Sequence, residues 1–317
     1  MKIVVQKFGG SSVKDIKSLK YVIEKIKIKI EEGYKVLVVV SAQGKTTDKL
    51  IKLAKEYGCK EKTKELDLLM STGEVISASL LTMLLKENGI DAVTYSANNL
   101  GIVTNSDFGK AEVENVYPEK ILKDLEKNVV VATGFQGLDK FGNVTTLGRG
   151  GSDYSAVVLA RAVKAERCEI YSDIDGIYTA DPRVIQKAKL LSKISVREML
   201  EFAEAGAKVL EKKSVREFKK FNGKLFVKNT KGKKEGTEVV KDTLEEKFAS
   251  KDNLSKITLI GDGYISNLKK LKEILSVIEE LNIRIYMLEV LETVVNIVID
   301  SENKEEVITK LHEKFNE

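Results

Sequence analysis

The strongest constraint on the fold is an alternation through most of the chain, in which short β-branched runs are followed by stretches with apolar residues at every third or fourth position. IVVQKF, KVLVVVS, DAVTYSA, VVVATG and CEIYSDID read as buried strands. Residues 14–32, 65–88 and 152–164 read as amphipathic helices. This order predicts an α/β fold, a mainly parallel sheet flanked by helices, whose right-handed crossovers bring the loops after the strands to one edge. Functional residues belong at that edge. Residues 138–147, centred on Asp139-Lys140-Phe141-Gly142-Asn143, predict a β-hairpin, because Gly and Asn accept the left-handed conformations of tight turns.

The alternation stops near Gly236, so residues 1–236 are the expected catalytic domain. Residues 237–253 read as a charged connection, with an extra strand expected around Phe248. Beyond it, strand 256–260, helix 267–281, strands 284–289 and 294–300 and helix 304–315 give a βαββα order. That order predicts a small ferredoxin-like domain over residues 254–317.

Composition narrows the chemistry. The 317 residues include one histidine, His312, in an expected surface helix, so histidine triads and His-ligated zinc are excluded. Cys59 and Cys168 lack metal-ligand spacing and are too few for a disulfide framework. The net charge of +5 is dispersed over 53 basic and 48 acidic residues, which argues against nucleic-acid binding. No apolar run near membrane-spanning length and no signal-peptide pattern are evident, so a cytoplasmic protein without membrane contact is expected. Chemistry must rest on Lys, Arg, carboxylates, hydroxyls and backbone amides, the means of phosphoryl transfer.

Three loops carry such groups. Lys7-Phe8-Gly9-Gly10-Ser11-Ser12 runs from a strand into a helix, where free amides attract a polyanion and a lysine neutralises a transferring phosphoryl group. A plain turn is the alternative reading. In Thr145-Thr146-Leu147-Gly148-Arg149-Gly150-Gly151-Ser152-Asp153, glycines flank an arginine suited to a carboxylate, or else Ser152 or Asp153 simply caps the helix. Tyr171-Ser172-Asp173-Ile174-Asp175-Gly176-Ile177-Tyr178-Thr179-Ala180-Asp181-Pro182-Arg183 follows a strand end and suits a nucleotide, or is solvated loop. Two weaker segments, Ser41-Ala42-Gln43-Gly44-Lys45-Thr46-Thr47-Asp48 and Ser71-Thr72-Gly73-Glu74, gain meaning only in combination with these.

Taken together, KFGGSSV, VVVSAQGKTTDKL, TTLGRGGSDYSA and DIDGIYTADPR resemble the successive blocks of the aspartate kinases in the amino-acid kinase superfamily. The resemblance implies the amino-acid kinase fold with a C-terminal ferredoxin-like ACT domain, ATP and Mg²⁺ as cofactors, L-aspartate as acceptor, and a homodimer formed through the ACT domain. The product would be 4-phospho-L-aspartate, at the head of lysine, threonine and methionine biosynthesis. By the same resemblance Lys7 stabilises the transferred phosphoryl group and Asp153 organises the site around it. Arg149 takes the α-carboxylate of aspartate and Glu74 its α-amino group, while Ser41, Thr47 and Phe135 complete that pocket. Gly9, Gly10, Ser11, Gly150, Ser172, Asp173, Tyr178, Arg183 and Lys208 are then the nucleotide side.

The chain departs from the family pattern in places. Ser11 and Ser172 replace threonines, and the segment after Lys208 lacks the usual His-Pro. The tail has room for the second of two ACT domains only, with Asn267-Leu268 where Pro-Gly is usual, so absent or altered effector binding is expected. Two other readings remain: a silent amino-acid sensor, against which Lys7, Glu74, Arg149 and Asp153 all stand, and a kinase for another carboxylate, such as glutamate or an N-acetylated amino acid.

Overall fold

The structure, a computed structural model, describes residues 1–59, 62–179, 187–204, 210–241, 253–261 and 263–316. The chain divides into two compact units, Met1–Thr243 and Leu244–Glu317.

The first unit opens with β1 (Ile3–Phe8), α1 (Ile16–Glu31), β2 (Lys35–Val40), α2 (Thr46–Glu56) and α3 (Lys64–Glu87). It continues through β3 (Ala92–Tyr95), α4 (Ala97–Leu100), β4 (Ile102–Thr104), β5 (Val113–Val116), α5 (Glu119–Leu125) and β6 (Val129–Thr133). Then come β7 (Gln136–Asp139), β8 (Val144–Thr146), α6 (Gly151–Ala162), β9 (Arg167–Ser172) and β10 (Lys193–Ser195). It ends with α7 (Val196–Glu204), α8 (Lys212–Phe218), β11 (Lys224–Asn229) and β12 (Thr237–Val240).

Eight of these strands form one sheet in the order β10-β12-β11-β9-β1-β2-β6-β3, parallel in every described pairing except β11 with β12. β1 lies inside the sheet, parallel to β2 on one side and β9 on the other. Its side chains alternate between two apolar layers, as the period-two geometry of a strand requires. Val4 and Phe8 pack with Leu19, Val22 and Ile26 of α1 and with Ala78, Leu81 and Leu85 of α3. Ile3 and Val5 pack on the other face with Ala156, Val157, Leu159 and Ala160 of α6. Burying each large aliphatic side chain contributes about 1.5–3 kcal/mol, so these two layers hold the sheet.

Two sequence expectations change here. Residues 237–240, assigned to a charged connection, instead form β12, which pairs with β10 and β11. The strand around Phe248 lies outside the described residues. α3 also has the length and apolar character of a membrane span, contrary to the expectation that no stretch approaches one, yet half of that stretch is buried within the fold. The expected hairpin is present: β7 and β8 pair antiparallel and join β4 and β5 in a second sheet ordered β5-β4-β7-β8.

The second unit contains β13 (Leu254–Ile260), α9 (Leu268–Glu280), β14 (Met287–Val290), β15 (Val294–Asp300) and α10 (Lys304–Asn316). β13 and β14 flank β15 in an antiparallel sheet. Its own core joins Ile257, Ile297 and Ile299 of the sheet to Ile274 and Ile278 of α9 and Val307 and Leu311 of α10. This is the expected βαββα arrangement, with its second strand, β14, starting at Met287 rather than 284. His312 is exposed on α10.

Candidate active site

Register places Lys7. As an odd residue of β1 it shares the α6 face with Val5, and Asp153 sits in the first turn of α6. Lys7 Nζ lies 2.5 Å from Asp153 Oδ1, with the two side chains only 10% and 14% exposed. This pair forms one wall of a cavity of about 550 Å³ that also takes in Gly10, Ser41, Thr47, Glu74, Phe135, Arg149 and Gly150. Lys7 and Arg149 therefore face one space, and nine of the residues singled out from the sequence share it.

The cavity is built by strand ends and helix starts. Gly10 is needed for close approach, because a Cβ there would stand 2.8 Å from the Ala42 carbonyl oxygen of the neighbouring loop. Gly150 adopts φ 69°, and a Cβ there would strike the Glu211 side chain, so a larger residue is barred on both counts. Phe135 is a non-glycine residue at φ 72°, pinned by its N–H donating to Ser155 Oγ at 2.9 Å and its carbonyl accepting from Leu147 at 2.9 Å. Such backbone strain concentrates at binding sites.

Glu74 supplies the contrasting charge. It projects from α3, is 3% exposed, and accepts the Ala42 N–H at 3.0 Å on Oε1. Oε2 has no hydrogen-bond partner among the described residues. Burial pushes this carboxyl up to about 7, the Ala42 N–H offsetting only part of the effect. An unsatisfied buried carboxylate lining a cavity is matched by an incoming ammonium group.

Five further sequence-predicted residues, Gly9, Ser11, Ser172, Asp173 and Tyr178, lie in the loops after β1 and at the end of β9, outside this cavity. The Gly9 N–H donates to the Tyr171 carbonyl at 3.2 Å, tying the first loop to the end of β9, and Ser11 is exposed beside it. Ser172 ends β9; its carbonyl accepts from Thr230, whose hydroxyl is 2.6 Å from Ser12 Oγ. Asp173 follows, and Tyr178 donates to Asp175 at 3.3 Å. Arg183 and Lys208 lie outside the described residues.

The profile of the amino acid kinase family matches residues 2–229. The aspartokinase 2 of Bacillus subtilis is 37% identical over 292 residues, which cover 90% of this chain and 71% of that protein. The chain belongs to the aspartokinases of the amino acid kinase family. Among other members, the aspartokinase of Bacillus sp. strain MGA3 is 42% identical over 268 residues, 82% of this chain. The chain spans 65% of that relative's length. The crystal structure of an aspartate kinase from Synechocystis superposes with a TM-score of 0.78 at 30% identity, covering 97% of this chain and 54% of that one.

In this aspartokinase-family chain, one important residue escaped the sequence reading. Asp67, fully buried on α3, accepts the Thr146 N–H at 2.6 Å, the Thr146 hydroxyl at 2.9 Å and the Gly109 N–H at 3.0 Å. It fixes the end of β8 from which Arg149 springs. Burial raises its carboxyl above the ordinary range, and the three donors offset part of that shift. No sequence signal marks it, since an acid in a first helical turn is ordinary. Lys55 and Lys62 also line the cavity and add to its positive charge. Among the described residues no cluster of three or more His, Cys, Asp or Glu could cage a metal ion.

Proposed function

We propose that this chain transfers the γ-phosphoryl group of ATP to the β-carboxylate of L-aspartate, giving 4-phospho-L-aspartate. The observation that carries the proposal is the single cavity in which a phosphoryl-neutralising cation, Lys7, stands across from Arg149 and a bare buried carboxylate, Glu74. Aspartate presents an α-carboxylate, an α-ammonium and a second carboxylate, a charge pattern complementary to that set.

The acceptor carboxylate is ionised at neutral pH, so it attacks the γ-phosphorus in line without a general base. The bond to the β,γ-bridging oxygen breaks, and ADP leaves with the electron pair. What the protein supplies is alignment and charge neutralisation. Lys7 stabilises the equatorial oxygens, Asp153 fixes the Lys7 ammonium, and the amides of the glycine loops draw the phosphate chain in. Arg149 grips the α-carboxylate, Glu74 takes the ammonium, and Ser41, Thr47 and Phe135 close the acceptor pocket. Ser172, Asp173, Tyr178, Arg183 and Lys208 make up the nucleotide side, with Gly9, Gly10, Ser11 and Gly150 at the phosphates. Mg²⁺ bound to those phosphates would neutralise charge on the departing ADP. An N-acetylated acceptor would leave Glu74 unmatched.

We infer further that the chain acts at the entry to lysine, threonine and methionine synthesis, in the cytoplasm, as a homodimer through its ACT-like second unit, without nucleic-acid or membrane partners. Incubation with ATP, Mg²⁺ and a panel of acidic amino acids in hydroxylamine tests the activity, since only an acyl phosphate is trapped as hydroxamate. Hydroxamate from aspartate alone is expected; equal yield from glutamate or acetylglutamate would reject the substrate assignment.

A further inference from the structure

A second cavity, of about 440 Å³, lies on the α1 face of the sheet, between that helix and strands β9, β11 and β12. Lys7 faces the other side. Arg167, Lys29 and Lys228 line the cavity, and Lys224, Lys233 and Lys234 stand around it. Register explains the clustering: Lys224, Phe226 and Lys228 are alternate residues of β11, opposite Arg167, Glu169 and Tyr171 of β9. One side of a strand pair thus presents a row of cations around an aromatic ring.

The carboxylates present do not neutralise that row. Lys29, Arg167 and Lys228 approach the same oxygen, Glu169 Oε1, at 3.6, 3.1 and 3.4 Å, and this fully buried group carries one negative charge. Its other oxygen is already taken by Gln6 at 3.1 Å and Tyr171 at 2.9 Å. Lys29 also reaches Glu32 at 2.7 Å, Lys224 reaches Glu238 at 3.9 Å, and Lys234 reaches Asp175 at 3.0 Å. Lys25, which lines the cavity too, donates to the Gly232 carbonyl at 2.7 Å and holds the lysine-rich turn in place. Burial and the nearby Lys228 lower its affinity for a proton, as expected where positive potential is in excess. Glu235 lines the cavity as well, so seven cations, Lys25, Lys29, Arg167, Lys224, Lys228, Lys233 and Lys234, meet five carboxylates, those of Glu32, Glu169, Asp175, Glu235 and Glu238. The Arg167 guanidinium lies 4.4 Å over the Phe226 ring, and its Nε is buried without a hydrogen-bond partner. An orphaned guanidinium donor inside a cavity of surplus positive charge calls for an anion.

We propose that this cavity binds a small polyanion carrying two or more phosphoryl groups. A single phosphoryl group beside Glu169 would meet only Lys29, Arg167 and Lys228, which already converge there, whereas Lys224, four residues from Lys228 along β11 and so about 13 Å away at the backbone, and Lys233 on the turn after that strand are reached only by a chain of phosphates. The site is distinct from the Lys7 cavity and does not depend on the reaction assigned there.

Calorimetric titration of the full chain with inorganic tripolyphosphate at low ionic strength tests this. Binding is expected to survive Lys7→Ala, which removes one cation of the other phosphate-attracting cavity, and to survive saturation of that cavity with ATP and Mg²⁺. It is expected to weaken at least about tenfold in Lys224→Ser/Lys233→Ser, because two charge-assisted contacts are lost. Both of these side chains face solvent, so the double variant keeps its fold and its aspartate-dependent turnover. Loss of all binding in Lys7→Ala, unchanged affinity in the double variant, or orthophosphate binding as tightly as tripolyphosphate would each overturn the proposal.

Discussion

Lys7 and Glu74 differ in what their removal should do. Lys7→Met keeps the bulk of the side chain but leaves phosphoryl charge without its cation, so kcat should fall at least about a hundredfold while KM for aspartate changes little. Steady-state kinetics decide this; a KM effect alone would place Lys7 in ground-state binding. Glu74 holds its proton up to about 7 rather than the ordinary 4.5, so between these values the fold binds more protons than the unfolded chain. Its contribution to stability therefore worsens as pH rises through that window and is most unfavourable above 7. Glu74→Gln should raise the melting temperature at pH 8, and the gain should vanish near pH 4.5. Aspartate binding should show the reverse preference: KM rises as pH falls below about 7 in the wild type and becomes flat in Glu74→Gln. Lys7 and Glu74 were both legible in the sequence, through the motifs around them. Asp67 was not, because its function depends on Thr146 and Gly109, which the chain brings to it only on folding.

At the scale of elements, Asp67 ties α3 to the end of β8, the two elements that carry the acceptor side in the proposed function. Asp67→Ala would strip three donors of their partner and should cost about 2–4 kcal/mol in denaturant unfolding. It should also raise KM for aspartate more than KM for ATP, since the displaced strand end leads to Arg149 and not to β9. Equal effects on both would refute that division. Four of the strands read correctly from sequence, β1, β2, β6 and β9, are buried on both faces, where an unbroken apolar run is unambiguous, and the edge strand β3 was legible as well from its own short run. β5 and β12 were missed because four residues such as VENV and TEVV are too short to show a period. β11 was missed because its alternate residues, Lys224 and Lys228, turn toward a charged cavity rather than an apolar layer.

At the scale of the molecule, the two units raise different expectations. The second has a complete small core but Asn267-Leu268 at the start of α9, where Asn267 caps the helix with its own side chain. Micromolar lysine is therefore expected to leave turnover unaffected; strong inhibition would show an effector site in that unit. Within the first unit, β1 has β2 on one flank and β9 on the other, so the chain leaves the sheet centre in opposite directions from its first loop. On the proposed assignment, the loops that choose the acceptor and those that receive the nucleotide descend from separate sides of a shared seam. Drift in one set need not disturb the other, which gives this architecture a ready route to new phosphate acceptors while its means of handling ATP stays intact.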